Sequence, residues 1–303
     1  MKVKASIKLL FFSLLFFIRG ENLLPPEIVD NYIGRHEEFE FLLKAIDQRI
    51  PVIIEGDTGT GKTEMAKILA NHLNRPFYRV DGDESLTAHK IVGWFDPPLV
   101  LQKGFTKETF IPGSLTRAME EGGIFFFNET NRAPSESVNT VLTAIEERVI
   151  YVPRLDPIKA SENFVAIFTM NPLEHIATNP LPQAFHDRCV WLELNHQSLE
   201  EEIEIVKLRT GSTDEKLIRA ACLIIKKTRE HPELEAGSSV RGGIQLVKLL
   251  DKRKNTLEKD WFLVGDSVLR QKVKLSVTTT RDVSLIIREI IKDVLEELVE
   301  KKA

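Results

Sequence analysis

Cysteine is nearly absent from this chain: Cys189 and Cys222 are the two among 303 residues, and their spacing matches neither a metal-ligand pattern nor a CxxC pair. A disulfide framework is excluded, and both read as core thiols of a reducing compartment. Basic excess is missing as well. Lysine and arginine number 41 against 45 acidic residues, for a net charge of −4 with the signs interleaved, so the surface as a whole offers no general attraction to nucleic acid. Membrane-length apolar runs are wanting too. The run from Leu9 to Ile18, broken only by Ser13, is too short to span a bilayer. It follows Lys2, Lys4 and Lys8 as a signal sequence would, yet no small-residue cleavage site precedes Arg19 and Gly20. Three readings stay open for this leader: a membrane-surface anchor, an extra helix packed on the rest, or a start codon placed too far upstream. No internal repeat or low-complexity tract is evident.

What remains is an ordinary globular composition, 43% apolar and 28% charged, enough for one sizeable core and a smaller satellite. Leu24, Pro25 and Pro26 close the leader, assigned to residues 1–28. Residues 29–195 then alternate helix and strand patterns. A helix is expected from Arg35 to Gln48, and short apolar strands at Val52–Ile54, Phe77–Val80, Ile124–Phe127, Phe164–Thr169 and Val190–Leu194. Such alternation predicts a mostly parallel sheet covered by helices, an α/β fold. From 196 to 303 the pattern predicts helices alone. Ser198 with Glu201 forms a capping box for a helix ending near Gly211, and further helices are expected over 214–230, 240–252 and 280–302. The last carries an apolar stripe at Val283, Ile287, Ile290, Val294 and Leu298, read as a face packed on its own domain.

The strongest chemical signal is GDTGTGKT, Gly56 to Thr63, which follows an apolar strand and opens a helix. Glycines at 56, 59 and 61 permit a tight loop whose N–H groups wrap phosphates; Asp57, Thr58, Gly59, Thr60, Gly61 and Glu64 belong to the same segment. Lys62 reaches the β- and γ-phosphates and the Thr63 hydroxyl can ligate Mg2+. A second signal is the buried strand of GGIFFFNET, which ends in Asn128 and Glu129. Glu129 is placed to polarise an attacking water. Asn128 occupies the position where an aspartate would support Mg2+; as an amide it can still hydrogen-bond the waters around the ion but brings no negative charge. Third, Phe164–Thr169 leads to Asn171, an amide at the carboxyl edge of the sheet that can orient water against the γ-phosphate.

Taken in order, GDTGTGKT, FFFNETNRAPSESVNTVLTAIEER, FTMNP, LPQAFHDR and GSSVR resemble the MoxR branch of AAA+ ATPases over about residues 29–250. The resemblance implies an α/β P-loop AAA+ core followed by a small all-helical lid. By it, Lys62 and Thr63 are Walker A, Glu129 the catalytic glutamate and Asn171 sensor 1. Arg188 aligns with the arginine finger offered to a neighbouring subunit, Arg241 with sensor 2, and Ile33, Gly34 and Arg35 with the adenine-side turn. ATP and Mg2+ are the implied cofactors, and a homo-oligomeric ring, a hexamer, the implied assembly. A protein client and a partner with a von Willebrand factor A (VWA) domain follow by the same resemblance, as does a cytoplasmic location, with membrane contact only through the leader. Two stretches, Trp94–Pro112 and VIYVPRLDPIKASENF, resemble core insertions that form hairpins in relatives, in which case Phe105 and Phe110 are expected to be exposed; an ordinary covered loop stays equally open. Two other readings stay open: a nucleotide-gated binding module with little turnover, suggested by Asn128, and a nucleic-acid translocase related to restriction motors, for which no basic excess or separate DNA-binding domain is present.

Overall fold

The computed structural model describes residues 32–172, 181–251 and 257–300. The leader at 1–28 lies outside them. By internal contacts the chain divides into two units, one running to Gly56 and from Gly61 to Leu194, the other comprising Asp57–Thr60 and the residues from Asn195 onward.

In the first unit, helix α1 (His36–Asp47) precedes strand β1 (Val52–Gly56), which leads into α2 (Lys62–His72) and β2 (Phe77–Asp81). Then come α3 (Ala88–Val92), β3 (Gly93–Phe95), α4 (Pro97–Lys103), β4 (Phe110–Pro112) and α5 (Ser114–Glu121). The unit continues with β5 (Ile124–Asn128), α6 (Ser135–Glu147), β6 (Val149–Ile150), β7 (Ile158–Lys159), β8 (Val165–Met170), α7 (Gln183–His186) and β9 (Val190–Leu194). Five strands pair in the order β2-β5-β8-β1-β9, all parallel. Strands covered on both faces must be apolar throughout, and IFFF in β5 and VAIF in β8 are wholly buried. Alternation sorts them onto two cores. Ile53, Phe125, Phe127 and Phe168 face one; Val52, Ile54, Phe126 and Ile167 face the other.

Both insertions are hairpins. β3 pairs antiparallel with β4, and β6 with β7. A cavity of ≈ 800 Å³ is lined by residues of both, among them Lys107, Phe110, Arg154 and Lys159. Phe105 is 43% exposed as expected, with the Arg154 guanidinium 4.1 Å over its ring. The expectation for Phe110 is wrong: it is buried, because its pairing with Phe95 turns its ring into the core, 5.3 Å from that ring.

The second unit holds α8 (Leu199–Thr210), α9 (Glu215–Glu230), α10 (Val240–Leu250), α11 (Glu258–Leu269) and α12 (Val283–Glu300). The Ser198–Glu201 capping box forms, and the α12 stripe buries Ile287, Ile290 and Val294 in the unit's own core. Two expectations need correction. Helix α11 occupies a stretch with no predicted element. The region is not purely helical either, since β10 (Leu234–Ala236) pairs antiparallel with β11 (Lys274–Leu275). One buried ion pair crosses the core: Arg229 Nη2 lies 2.8 and 2.9 Å from the two Glu202 carboxylate oxygens, and Arg229 Nε donates to Ser238 O at 2.8 Å. Burial nevertheless raises the Glu202 carboxyl above its ordinary pKa. Burial also pushes Cys189 and Cys222 up to about 12. Among the described residues no helix is long and apolar enough to cross a membrane.

Candidate functional site

Five parallel strands share one carboxyl edge, where open α/β sheets bind ligands. β1 reaches that edge at Gly56, and the chain turns back into α2 at Lys62. The turn uses left-handed backbone, φ +88° at Gly59 and +96° at Gly61, which side chains disfavour. Space forbids side chains as well. A Cβ at Gly61 would fall 2.3 Å from Tyr32 Oη, and one at Gly59 2.3 Å from Ser239 Oγ and 3.9 Å from Arg241 Cδ. Tyr32 stacks edge-on against Phe39, and burial pushes its phenol up to about 12. Thr60 Oγ1 donates to Asp57 O at 2.9 Å, Asp57 Oδ2 lies 3.5 Å from His196 Nε2, and the Lys62 ammonium donates to Gly56 O. Thr63 and Glu64 stand in the first turn of α2, so the loop presents its amides at a helix N-terminus, a ready anion cradle.

β8 lies beside β1, and β5 beside β8. Asn171, just past β8, is buried, and its carbonyl accepts from Asn131 Nδ2 at 3.4 Å. At the end of β5 a chain of hydrogen bonds crosses three strands. The Glu129 N–H donates to Thr169 Oγ1 at 3.0 Å, Thr169 Oγ1 donates to Asn128 Oδ1 at 3.0 Å, and Asn128 Nδ2 donates to Asp81 Oδ1 at 2.9 Å. Glu129 itself is left-handed, φ +51° and ψ +48°, a conformation that costs about 1–3 kcal/mol and persists only where neighbours hold it. Its Oε2 lies 2.7 Å from Arg132 Nη1.

Of the remaining predicted residues, Arg241 has its Cδ 3.9 Å from where a Gly59 Cβ would stand. Ile33 and Gly34 precede α1, Gly34 with φ +71°. Arg241 stands exposed in the first turn of α10. Arg188, between α7 and β9, donates to Ala184 O at 2.9 Å and to Glu146 Oε1 at 2.7 Å; that pairing raises the Arg188 pKa and holds Glu146 below the usual carboxylate range. Tyr32, Asp81, Arg132, Glu146 and Thr169 were not singled out from sequence, and only their register and packing bring them here.

Among the described residues no group of three or more His, Cys, Asp or Glu could hold a metal ion unaided. The candidate groups are the Thr63 hydroxyl and, acting through water, the Asn128 amide with Asp81 hydrogen-bonded behind it. Such a set suits Mg2+, a hard cation that keeps waters and takes phosphate oxygens as its other ligands.

Residues 51–189 match the AAA domain of the dynein-related subfamily. The chain is similar to the gas vesicle ATPase GvpN of Haloferax mediterranei, 27% identical over 209 residues, covering 64% of this chain and 60% of that one. It is also similar to protein NorQ of Paracoccus denitrificans, 29% identical over 216 residues, covering 69% and 77%. A crystal structure of a candidate ATPase from Cytophaga hutchinsonii superposes with a TM-score of 0.53 at 18% identity, over 96% of this chain and 98% of that one, and shares the fold. Phosphate-type loop, strand-end acid, strand order and subfamily match together define a P-loop AAA+ ATPase domain. Within that class, residues 51–189 are similar to the dynein-related subfamily, in keeping with the MoxR resemblance of the sequence.

Proposed function

We propose that the chain binds Mg-ATP at Gly56–Thr63 and hydrolyses it, using the energy in an oligomeric ring to remodel a protein client. The observation that carries this reading is the convergence, on adjacent strands β1, β8 and β5, of a left-handed glycine loop, a buried asparagine and a strained glutamate. Bound Mg2+ would neutralise developing phosphate charge. The chain's own residues do the rest. Loop amides and Lys62 hold the phosphates, Thr63 faces the cation, Glu129 takes the proton of the attacking water, and Asn171 orients that water. Arg188 serves the neighbouring subunit's γ-phosphate and Arg241 the subunit's own. Ile33 and Gly34 take the adenine side. To reach a neighbour Arg188 must leave Glu146, and an exposed pair of this kind is weak enough to exchange. The ring is hexameric and cytoplasmic, and its partner carries a VWA domain; the support is the MoxR resemblance.

Glu129→Gln tests the centre of this reading. It preserves shape and removes the base, so it should bind ATP normally and lose about 10²- to 10⁴-fold in turnover. Equal turnover in parent and variant would sink the assignment. A second reading, a nucleotide-gated binding module, is favoured by Asn128; it becomes the better one if the parent binds ATP and never turns it over.

A further inference from the structure

We propose that Asp81, at the end of β2, supplies the negative charge that Asn128 lacks beside the metal, and that it fixes the Asn128 amide in doing so. The inference rests on the nucleotide-site reading above. Asp81 and Asn128 are register partners in adjacent parallel strands, so their side chains leave the same face of the sheet. Both ends of the amide are committed, its Nδ2 to Asp81 at 2.9 Å and its Oδ1 to Thr169 at 3.0 Å. An aspartate at 128 would set a second carboxylate oxygen against Asp81 at that separation, and such a like-charge pair must take up a proton or a cation. The two positions are therefore complementary as a pair: one amide and one carboxylate, carrying a single negative charge displaced by one strand from the β5 end.

Arg79 controls how available that charge is. Its Nε lies 3.0 Å from both Asp81 oxygens. The two side chains are 40% and 56% exposed, so the pairing is screened by solvent and yields readily to a divalent cation. Asp81 acts here as a positioning and charge-supplying residue, one step out from the ligands of the cation. Removing its charge should weaken Mg2+ binding, and removing Arg79 should strengthen it.

The test uses the full chain with Asp81→Asn, Arg79→Gln and the double variant Asp81→Asn/Asn128→Asp. Two readouts serve: the Mg2+ concentration that half-saturates binding of a fluorescent ATP analogue, and Mn2+ bound in the presence of ATP, followed by electron paramagnetic resonance. Asp81→Asn should raise half-saturation on the order of 3- to 10-fold, the effect of one charge on a divalent ion across a few ångströms of water-like medium. Arg79→Gln, an exposed change that leaves folding intact, should lower it. The double variant, which moves the charge back to β5, should return to within about twofold of the parent. An unmoved half-saturation in Asp81→Asn and Arg79→Gln, or a double variant no better than Asp81→Asn, overturns the proposal. Lys62→Ala separates the two levels. If it still binds the analogue, the nucleotide-site reading itself fails; if it does not bind while Asp81→Asn behaves as the parent, only the role of Asp81 is lost.

Discussion

Thr169→Val removes one oxygen from the middle of the hydrogen-bond chain joining β2, β5 and β8. Valine keeps the shape of threonine, so packing is preserved, but the Glu129 N–H loses its acceptor and Asn128 Oδ1 its donor, both at 3.0 Å from a hydroxyl on a fully buried residue. Leaving such groups unpaired costs about 1–3 kcal/mol. For a unit of this size that lowers Tm by roughly 2–4 °C per kcal/mol. The functional loss should be larger than the thermal one. The left-handed Glu129 stores about 1–3 kcal/mol of strain, and without its anchor the residue relaxes away from the geometry that the proposed water activation requires. A tenfold or greater fall in kcat is expected, since about 1.4 kcal/mol of barrier corresponds to a factor of ten. Thr169→Ser is the control, because it loses a methyl and keeps the hydroxyl. It should lose some Tm while holding kcat near the parent value. Differential scanning calorimetry and steady-state ATP hydrolysis on the parent and both variants decide the matter. If the valine and serine variants turn over equally fast, the hydroxyl does not hold Glu129 and the reasoning is wrong.

Arg188→Ala should bind ATP and hydrolyse it poorly, yet recover turnover when mixed with Lys62→Ala, whose subunits keep their own arginine; mixed rings that stay inactive would refute action across a subunit boundary. Arg229→Met strands the Glu202 carboxylate in the core and should cost about 3–5 kcal/mol at pH 8 in urea unfolding. The sign of its pH dependence follows from burial, which raises Glu202 above its unfolded pKa. Its favourable contribution is present below the unfolded value and lost as pH rises through the folded one. The variant should therefore lie closest to the parent near pH 5 and fall away as pH rises; a gap independent of pH would contradict this.

The site was legible in sequence wherever chemistry is local. Glycines at 59 and 61 announce a loop that needs positive φ, and three phenylalanines before Asn128 and Glu129 announce a buried strand ending in something polar. Asp81 was not legible, because nothing in VDGDES, Val80 to Ser85, states that β2 lies against β5 with Asp81 opposite Asn128. Phe110 was misjudged for the same reason: its burial depends on pairing with Phe95, fifteen residues away in the chain. Helix α11, for which no element was expected, carries Gly265 in its interior, a residue of low helix propensity. In the fold it allows a close approach, since a Cβ there would fall 2.3 Å from Ile291 Cδ1. Strands β10 and β11 are too short and too far apart to leave a local pattern.

The strand order also governs when the site can exist during synthesis. β1 carries the phosphate loop, yet Val52 pairs with Ile167 on one side and Val190 on the other. A growing chain that has already emitted Val-Ile-Ile has no partner for either edge of that strand until more than a hundred further residues have emerged, on the order of ten seconds at ordinary translation rates. During that interval an apolar strand with two open edges is a hazard for misassembly. Nucleotide cannot stabilise it, because the loop has no scaffold before β8 and β9 close around it. Newly made chains are thus predisposed to engage general folding factors through their first strand, and a truncation anywhere before Leu194 should yield insoluble protein rather than a smaller nucleotide binder.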